Sequence, residues 1–291
     1  MADKAPALTF FQKKPIQCPV CGTEFYREEL HTGRGRLIAG KLTHELHRLY
    51  EPSQKFGEVN PLIYPVSVCP SCYYAAWKDD FSRLPDDSAS ALEAGTNKRI
   101  SWISEVLEGV DFRANRGLAE GLASYLLSVM CYDHHDSELS PVIKQGISSL
   151  RAAWLALDMH RKYPNSNYDH LAKMMYRKAR FFYVTAVEYE SNGTQGIGGC
   201  PNLGPDIDNN YMFDGVLYMY GYLEYHYGPR SDAARREANL QNAKRTIARI
   251  FGMGKATKNK PVVILDNARD LYAEIGQALG LENLDPEKDP G

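Results

Sequence analysis

Through the second half of the chain apolar residues recur every third or fourth position, and that period predicts helices. Ile143, Ile147, Leu150, Trp154 and Leu157 are spaced 4, 3, 4 and 3 along one face, behind Ser140 as a cap and Pro141 in the first turn. This helix is expected to stop near Tyr163-Pro164. Leu171, Met175, Lys178, Phe182, Thr185 and Tyr189 continue a similar stripe to a stop signal at Gly193. Weaker stripes are Leu118, Leu122, Tyr125, Leu126 and Val129; Leu240, Ala243, Ile247 and Phe251; and Ala268, Leu271, Tyr272, Ile275 and Leu279. Short connections between successive helices imply antiparallel helical hairpins, while residues 193–210 and 252–260, rich in Gly with Pro, Asn or Lys, read as loops.

The first part has a different texture. Residues 16–81 hold short extended pieces, Thr23-Glu24-Phe25-Tyr26 and Leu62-Ile63-Tyr64-Pro65-Val66, between Gly and Pro punctuation, with no helical period. A polar stretch at residues 85–97 follows. The expected fold is mainly α: a small head with short strands at residues 1–84, then a body at 97–282 of α-helical hairpins stacked in a tetratricopeptide-like solenoid, and a polar tail at 283–291. No strict repeat period runs through the body.

Composition narrows the classes. With 291 residues, 44% hydrophobic, 24% charged and a formal net charge of -2, the chain reads as a folded soluble protein with no global preference for nucleic acid or membrane. Residues 1–14 lack an apolar leader core and no stretch is long and apolar enough for a membrane span, so the expected location is the cytoplasm. In that reducing setting, six cysteines of which four form two C-x-x-C pairs point to metal rather than to disulfides.

Cys18-Pro19-Val20-Cys21-Gly22 and Cys69-Pro70-Ser71-Cys72 each offer two thiolates from one tight turn, and two such turns complete a tetrahedral four-sulfur set for one Zn2+. A closed set leaves no position for water, so Cys18, Cys21, Cys69 and Cys72 are expected to hold a structural ion. The alternative is a thiol redox protein cycling a C-x-x-C pair. Cys131 ends an apolar stripe and reads as buried, and Cys200, in a Gly-rich loop, has no activating base beside it in sequence.

Around the second pair, Gly57-Glu58-Val59-Asn60-Pro61-Leu62-Ile63-Tyr64 and Val68-Cys69-Pro70-Ser71-Cys72-Tyr73-Tyr74-Ala75-Ala76 resemble a bacterial family known as domain of unknown function 2225. The specific likeness covers Cys18 to about Phe81, and the helical remainder is similar in character. The resemblance implies a zinc-ribbon-like head and an α-solenoid body, and no reaction. One departure is visible: the family favours glycine after the last cysteine, where this chain has Tyr73.

Other clusters read as surface or packing. Arg34, Arg36, Lys41, His44, His47 and Arg48 form a basic patch interrupted by Glu28, Glu29, Glu45 and Glu51, which suits a solvated face better than a phosphate contact. His44 and His47 are reserve metal ligands. Asp133-His134-His135-Asp136 is explained as an interhelical loop. Residues 193–204 lack the phosphate-loop order, and no nucleophile elbow or H-E-x-x-H pair occurs. Tyr218, Tyr220, Tyr222, Tyr225 and Tyr227 crowd one helix on two sides, so one set is a candidate partner-binding groove. The expectation is a non-enzymatic adaptor or scaffold for a protein or peptide partner. A zinc-ribbon nucleic-acid binder, with nucleic acid the less favoured partner, is one alternative, and an enzyme built on Cys200, His134 and His135 is another.

Overall fold

The computed structural model describes residues 7–31, 33–252 and 260–281. The tail read at 283–291 and most of the loop read at 252–260 lie outside the described residues.

Four antiparallel strand pairs make the head among the described residues. β1 (Thr9–Phe11) pairs with β4 (Glu28–Leu30), and nested between them β2 (Ile16–Gln17) pairs with β3 (Glu24–Phe25). β5 (Ile38–Leu42) and β6 (Arg48–Glu51) form an inserted hairpin with an irregular register between Ala39 and Leu42, and β7 (Val66–Val68) pairs with β8 (Ala75–Trp77). Two-stranded ribbons this short are marginal in water, so each must borrow stability from outside its own ladder.

Eight α-helices follow among the described residues: α1 (Asp86–Ala94), α2 (Thr96–Val106), α3 (Leu118–Cys131), α4 (Pro141–Lys162), α5 (Tyr168–Asn192), α6 (Met212–Tyr227), α7 (Ala233–Phe251) and α8 (Val262–Ala278). The mainly α expectation holds. From α3 onward each helix packs on the next, and α6 also meets α8. Contrary to the sequence reading, residues 85–97 hold α1 and the start of α2. The reason is visible in α1, where Leu92 alone is buried, so no apolar stripe marks the helix.

The central helix, α4, starts at Pro141 and ends at Lys162, as the pattern predicts. Its cap differs. Ser140 sits in the left-handed region at φ 52 and makes no capping bond; its hydroxyl donates to Gly196 O and accepts from Gly199 N, pinning the Gly-rich loop. A Cβ on Gly199 would lie 1.9 Å from Glu138 O, so only glycine fits there. Leu157, assigned to the apolar stripe, is exposed, whereas Lys144, Gln145, Ser148 and Arg151 are buried. α4 is enclosed because those polar groups all find partners. Lys144 Nζ lies 2.5 Å from Asp80 Oδ2, Trp77 Nε1 donates to Ser148 Oγ at 3.0 Å, and Arg151 donates to the carbonyls of Gly204, Pro205 and Asp206.

On α5 the buried seam is Leu171, Met175, Ala179, Tyr183, Ala186 and Val187, with Lys178 exposed. Gly146 of α4 decides the shift, since a Cβ there would come within 3.1 Å of the Tyr183 ring. One apolar cluster runs from Leu46, Leu62, Val66, Val68 and Ala75 of the head through α3, α4 and α5 to Ile275 of α8. No helix among the described residues is long and apolar enough to cross a membrane.

Candidate metal centre

Both C-x-x-C turns have the same backbone. In the first, Cys18 N donates to Thr23 O and Gly22 N to Cys18 O; in the second, Cys69 N donates to Tyr74 O and Tyr73 N to Cys69 O. Each turn lies at the end of a hairpin, β2–β3 or β7–β8, which sets its two thiols side by side. The tertiary fold then brings the turns face to face. Cys18 Sγ lies 3.6 Å from Cys72 Sγ, Cys21 Sγ lies 3.6 Å from Cys69 Sγ, and all four sulfurs fall within 4.8 Å of one another. Zn–S bonds of ~2.3 Å in a tetrahedron give S–S edges of ~3.8 Å, so the donor set fits one four-coordinate ion.

Cys18, Cys69 and Cys72 are buried, while Cys21 is half-buried and its thiol reaches Thr23 Oγ1 at 3.2 Å. Phe25, Tyr74, Phe81, Leu92 and Tyr132 pack around the buried side of the cluster. The Arg99 guanidinium of α2, itself buried, donates to Cys72 O at 2.8 and 3.2 Å and places a positive charge beside the second turn. Hydrogen bonds from the Cys18 and Cys72 thiols hold Cys69 down to about 2. The same contacts act oppositely on their other members, so Cys18 is pushed up to about 12 by Cys69, and Cys72 is pushed higher still by Cys18 and Cys69. Four thiolates at this spacing would repel one another, and a divalent cation bound between them would allow all four to ionise together.

A family model described as an uncharacterized protein conserved in bacteria, DUF2225, matches residues 11–275. The chain belongs to this family. A relative from Borreliella burgdorferi, itself described as an uncharacterized protein, is 37% identical over 274 residues, which cover 94% of this chain and 98% of the relative. No solved structure matches.

Two features of the DUF2225 words acquire a physical reading. Tyr73, where the family pattern has glycine, adopts φ 56, close to the φ 71 of Gly22 at the equivalent place in the first turn. The turn survives because Tyr73 packs edge-on against Phe112, with ring centroids 5.2 Å apart, offsetting a left-handed cost of ~1–2 kcal/mol. In the Asn60-Pro61-Leu62 word, Asn60 Oδ1 accepts from Leu62 N and caps the short helical turn over 61–63, while Asn60 Nδ2 donates to Asp158 Oδ2 at 2.8 Å. Burial raises Asp158 to about 6.

The inserted hairpin is the part least legible in the sequence. Its tip, between β5 and β6, enters a groove lined by α4, α5 and α6, where Leu46 is wholly buried. The Glu45 carboxylate accepts from Trp154 Nε1, from the Tyr176 hydroxyl at 2.8 Å and from the Tyr222 hydroxyl at 3.4 Å. The Tyr218 hydroxyl donates to His44 O at 2.6 Å, and His47 stacks on Trp154 at 4.0 Å. Burial, with Arg161 and Arg151, lowers His47 to about 4, so its 3.7 Å approach to Asp206 is no ion pair at neutral pH.

The five tyrosines singled out in the sequence therefore divide. Tyr218 and Tyr222 hold the chain's own hairpin, Tyr227 stacks on Tyr176 at 4.2 Å, and Tyr220 and Tyr225 are half-buried. Among the described residues the other sequence candidates do not converge on a metal. His44 and His47 lie at the hairpin tip rather than on a helix. His135 is buried with Nε2 3.1 Å from the Tyr74 hydroxyl, and Asp133 accepts from Gln145. Cys200 is buried, raised to about 11, and donates to Asn202 O. Of the basic patch, Arg48 pairs with Asp208 and Arg36 donates to Ala7 O and Gly33 O. Sequence reasoning missed Glu45 and the Asp80–Lys144 pair, for which no local pattern gives a signal.

Proposed function

We propose that the protein is a non-enzymatic cytoplasmic scaffold in which one structural Zn2+ ties the two C-x-x-C turns together and the tetratricopeptide-like helical body presents a surface to a protein or peptide partner. The observation that carries the metal reading is the closure of the four-sulfur cluster: both turns contribute two ligands, apolar side chains surround them, and no coordination position is left for a substrate. The ion would supply folding energy, and the chain's own groups would do the rest: Arg99 balances charge, and the left-handed residues Gly22 and Tyr73 shape the turns.

Two features support the scaffold reading. The tyrosine groove holds a tight turn, the chain's own hairpin tip, through hydroxyl and indole donors of the kind that can also hold a peptide. Beside it, α5 exposes Met174 and Phe181, two turns apart on its outer face, as apolar anchors for a partner.

Metal analysis of the freshly purified protein tests the first part. One zinc per chain, with four thiols released by chelation, is the expected result; a metal-free chain with oxidised pairs would replace this reading with thiol redox chemistry. A photo-crosslinking side chain at position 181 tests the second. One reproducible adduct in the native host is expected, and none there or at position 174 would remove the proposed surface.

A further inference from the structure

Away from the cysteines, α5 and the turn from α6 to α7 line an open cavity of about 560 Å3. Lys173, Arg177 and Arg180, spaced 4 and 3 along one face of α5, project from one side, and Arg230 with Ser231 closes the other. Arg236 lies just behind. Its guanidinium donates to Glu224 O and Tyr225 O, at the end of α6.

Carboxylates do not balance these charges. Glu224 is buried and shared between Arg180 and Arg236, Asp169 pairs with Lys173 on the exposed side, and Asp232 is committed to Arg235 N as the cap of α7. Among the described residues Arg177 and Arg230 have no acidic partner. The charge is felt by His226 in the cavity wall, which is held below its ordinary value by burial and then by Arg230, Arg236 and His44. Cations crowd here at a cost in mutual repulsion, and an anion would relieve it.

The groups also have the right form. Guanidinium forks match the paired oxygens of a phosphate group, a lysine adds a point charge, and α7 directs its N-terminal backbone dipole toward the same turn. Glu224 orients Arg180 from behind through its Nε atom, so the cavity is pre-shaped without a ligand. We propose that this cavity binds a dianionic phosphate group, held chiefly by Arg177 and Arg230 with Lys173 and Arg180 in support. The site is independent of the metal centre and of the scaffold reading.

Calorimetric titration of the full chain with inorganic pyrophosphate at constant ionic strength tests this. Saturable binding at one site is expected, with a raised melting temperature. The double variant Arg177→Ala/Arg230→Ala should lose about a hundredfold or more in affinity, since each of the two charge-assisted pairs it removes is worth about tenfold or more. Arg245→Ala, exposed elsewhere on α7, should bind like the parent, and Arg177→Lys/Arg230→Lys should recover part of the affinity, separating a lost charge from a lost fold. A phosphoserine peptide binding more tightly than pyrophosphate would assign the phosphate to a protein ligand, and the reverse would assign it to a free one. No saturable binding, or unchanged binding in the double Ala variant, would overturn the proposal, as would a glutamate-rich peptide binding more tightly than either phosphate.

Discussion

In the head, turns between strands of two to five residues bring four cysteines together, whereas in the body helices of up to 25 residues bury continuous apolar seams. The head's ladders are too short to hold themselves, so the thiol cluster and a few directed bonds must fix them. The body draws on area, and any one contact in it matters less. The difference is in the kind of interaction rather than in location, because Val66, Val68 and Ala75 of the second hairpin belong to the same apolar cluster as α3 and α4. Polar groups then cross the boundary: Asp80 to Lys144, Trp77 to Ser148, and Glu45 to Trp154, Tyr176 and Tyr222.

The largest expected effect breaks the head. Cys69→Ser should abolish stoichiometric metal binding, a free energy of ~10 kcal/mol or more for a structural zinc site, and lower the melting temperature in a single transition detected by both helix content and aromatic signals. Two separated transitions would instead make head and body independent units. Next comes the polar seam. Lys144→Ala leaves the Asp80 carboxylate buried with the Tyr132 hydroxyl as its remaining side-chain donor, and should cost ~3–5 kcal/mol in denaturant unfolding. The pair replacement Asp80→Leu/Lys144→Met should recover most of that loss, and a double variant as unstable as Lys144→Ala would show that charge burial is not what matters there.

A pH experiment sharpens the comparison at the hairpin tip. His47 has a folded-state value of about 4 against 6.5 unfolded, so its contribution is complete above pH 6.5 and is lost as pH falls toward 4. Burial acts in the opposite sense on Glu45, Asp158 and Asp206: their raised values favour the fold at low pH, and Asp158 loses that advantage as pH rises through about 6. The His47 part is isolated by comparing the parent with His47→Phe, which keeps a ring on Trp154 and cannot titrate. Between pH 6.5 and 4 the variant should lose ~2–3 kcal/mol less stability than the parent. Parallel pH profiles would mean that His47 is solvated. The smallest effect is Tyr218→Phe, which removes the bond to His44 O and should cost ~1 kcal/mol with no change in metal content.

Much of the body was legible because periodicity reports burial directly. The bounds of α4 followed from Pro141 and Tyr163-Pro164, and the end of α5 from its Gly193 stop. The face of a helix was less secure. On α5 the seam turned by one residue because Gly146 admits Tyr183, a fact about α4 that no window on α5 contains. α1 was missed because one buried leucine makes no pattern. The four cysteines were read correctly as neighbours because two C-x-x-C turns match a tetrahedral donor set, whatever lies between them.

By itself the sequence determined the long helices of the body, the pairing of cysteines within each turn and the family to which the chain belongs, because these depend on spacing along the chain. Only the tertiary structure decided where the inserted hairpin goes, and therefore which tyrosines remain available. Glu45 meets Tyr176 and Tyr222 across separations of 131 and 177 residues, and Lys144 meets Asp80 across 64. Contacts of that range are set by how whole elements pack, and the desolvation that makes them matter exists only once the packing is complete.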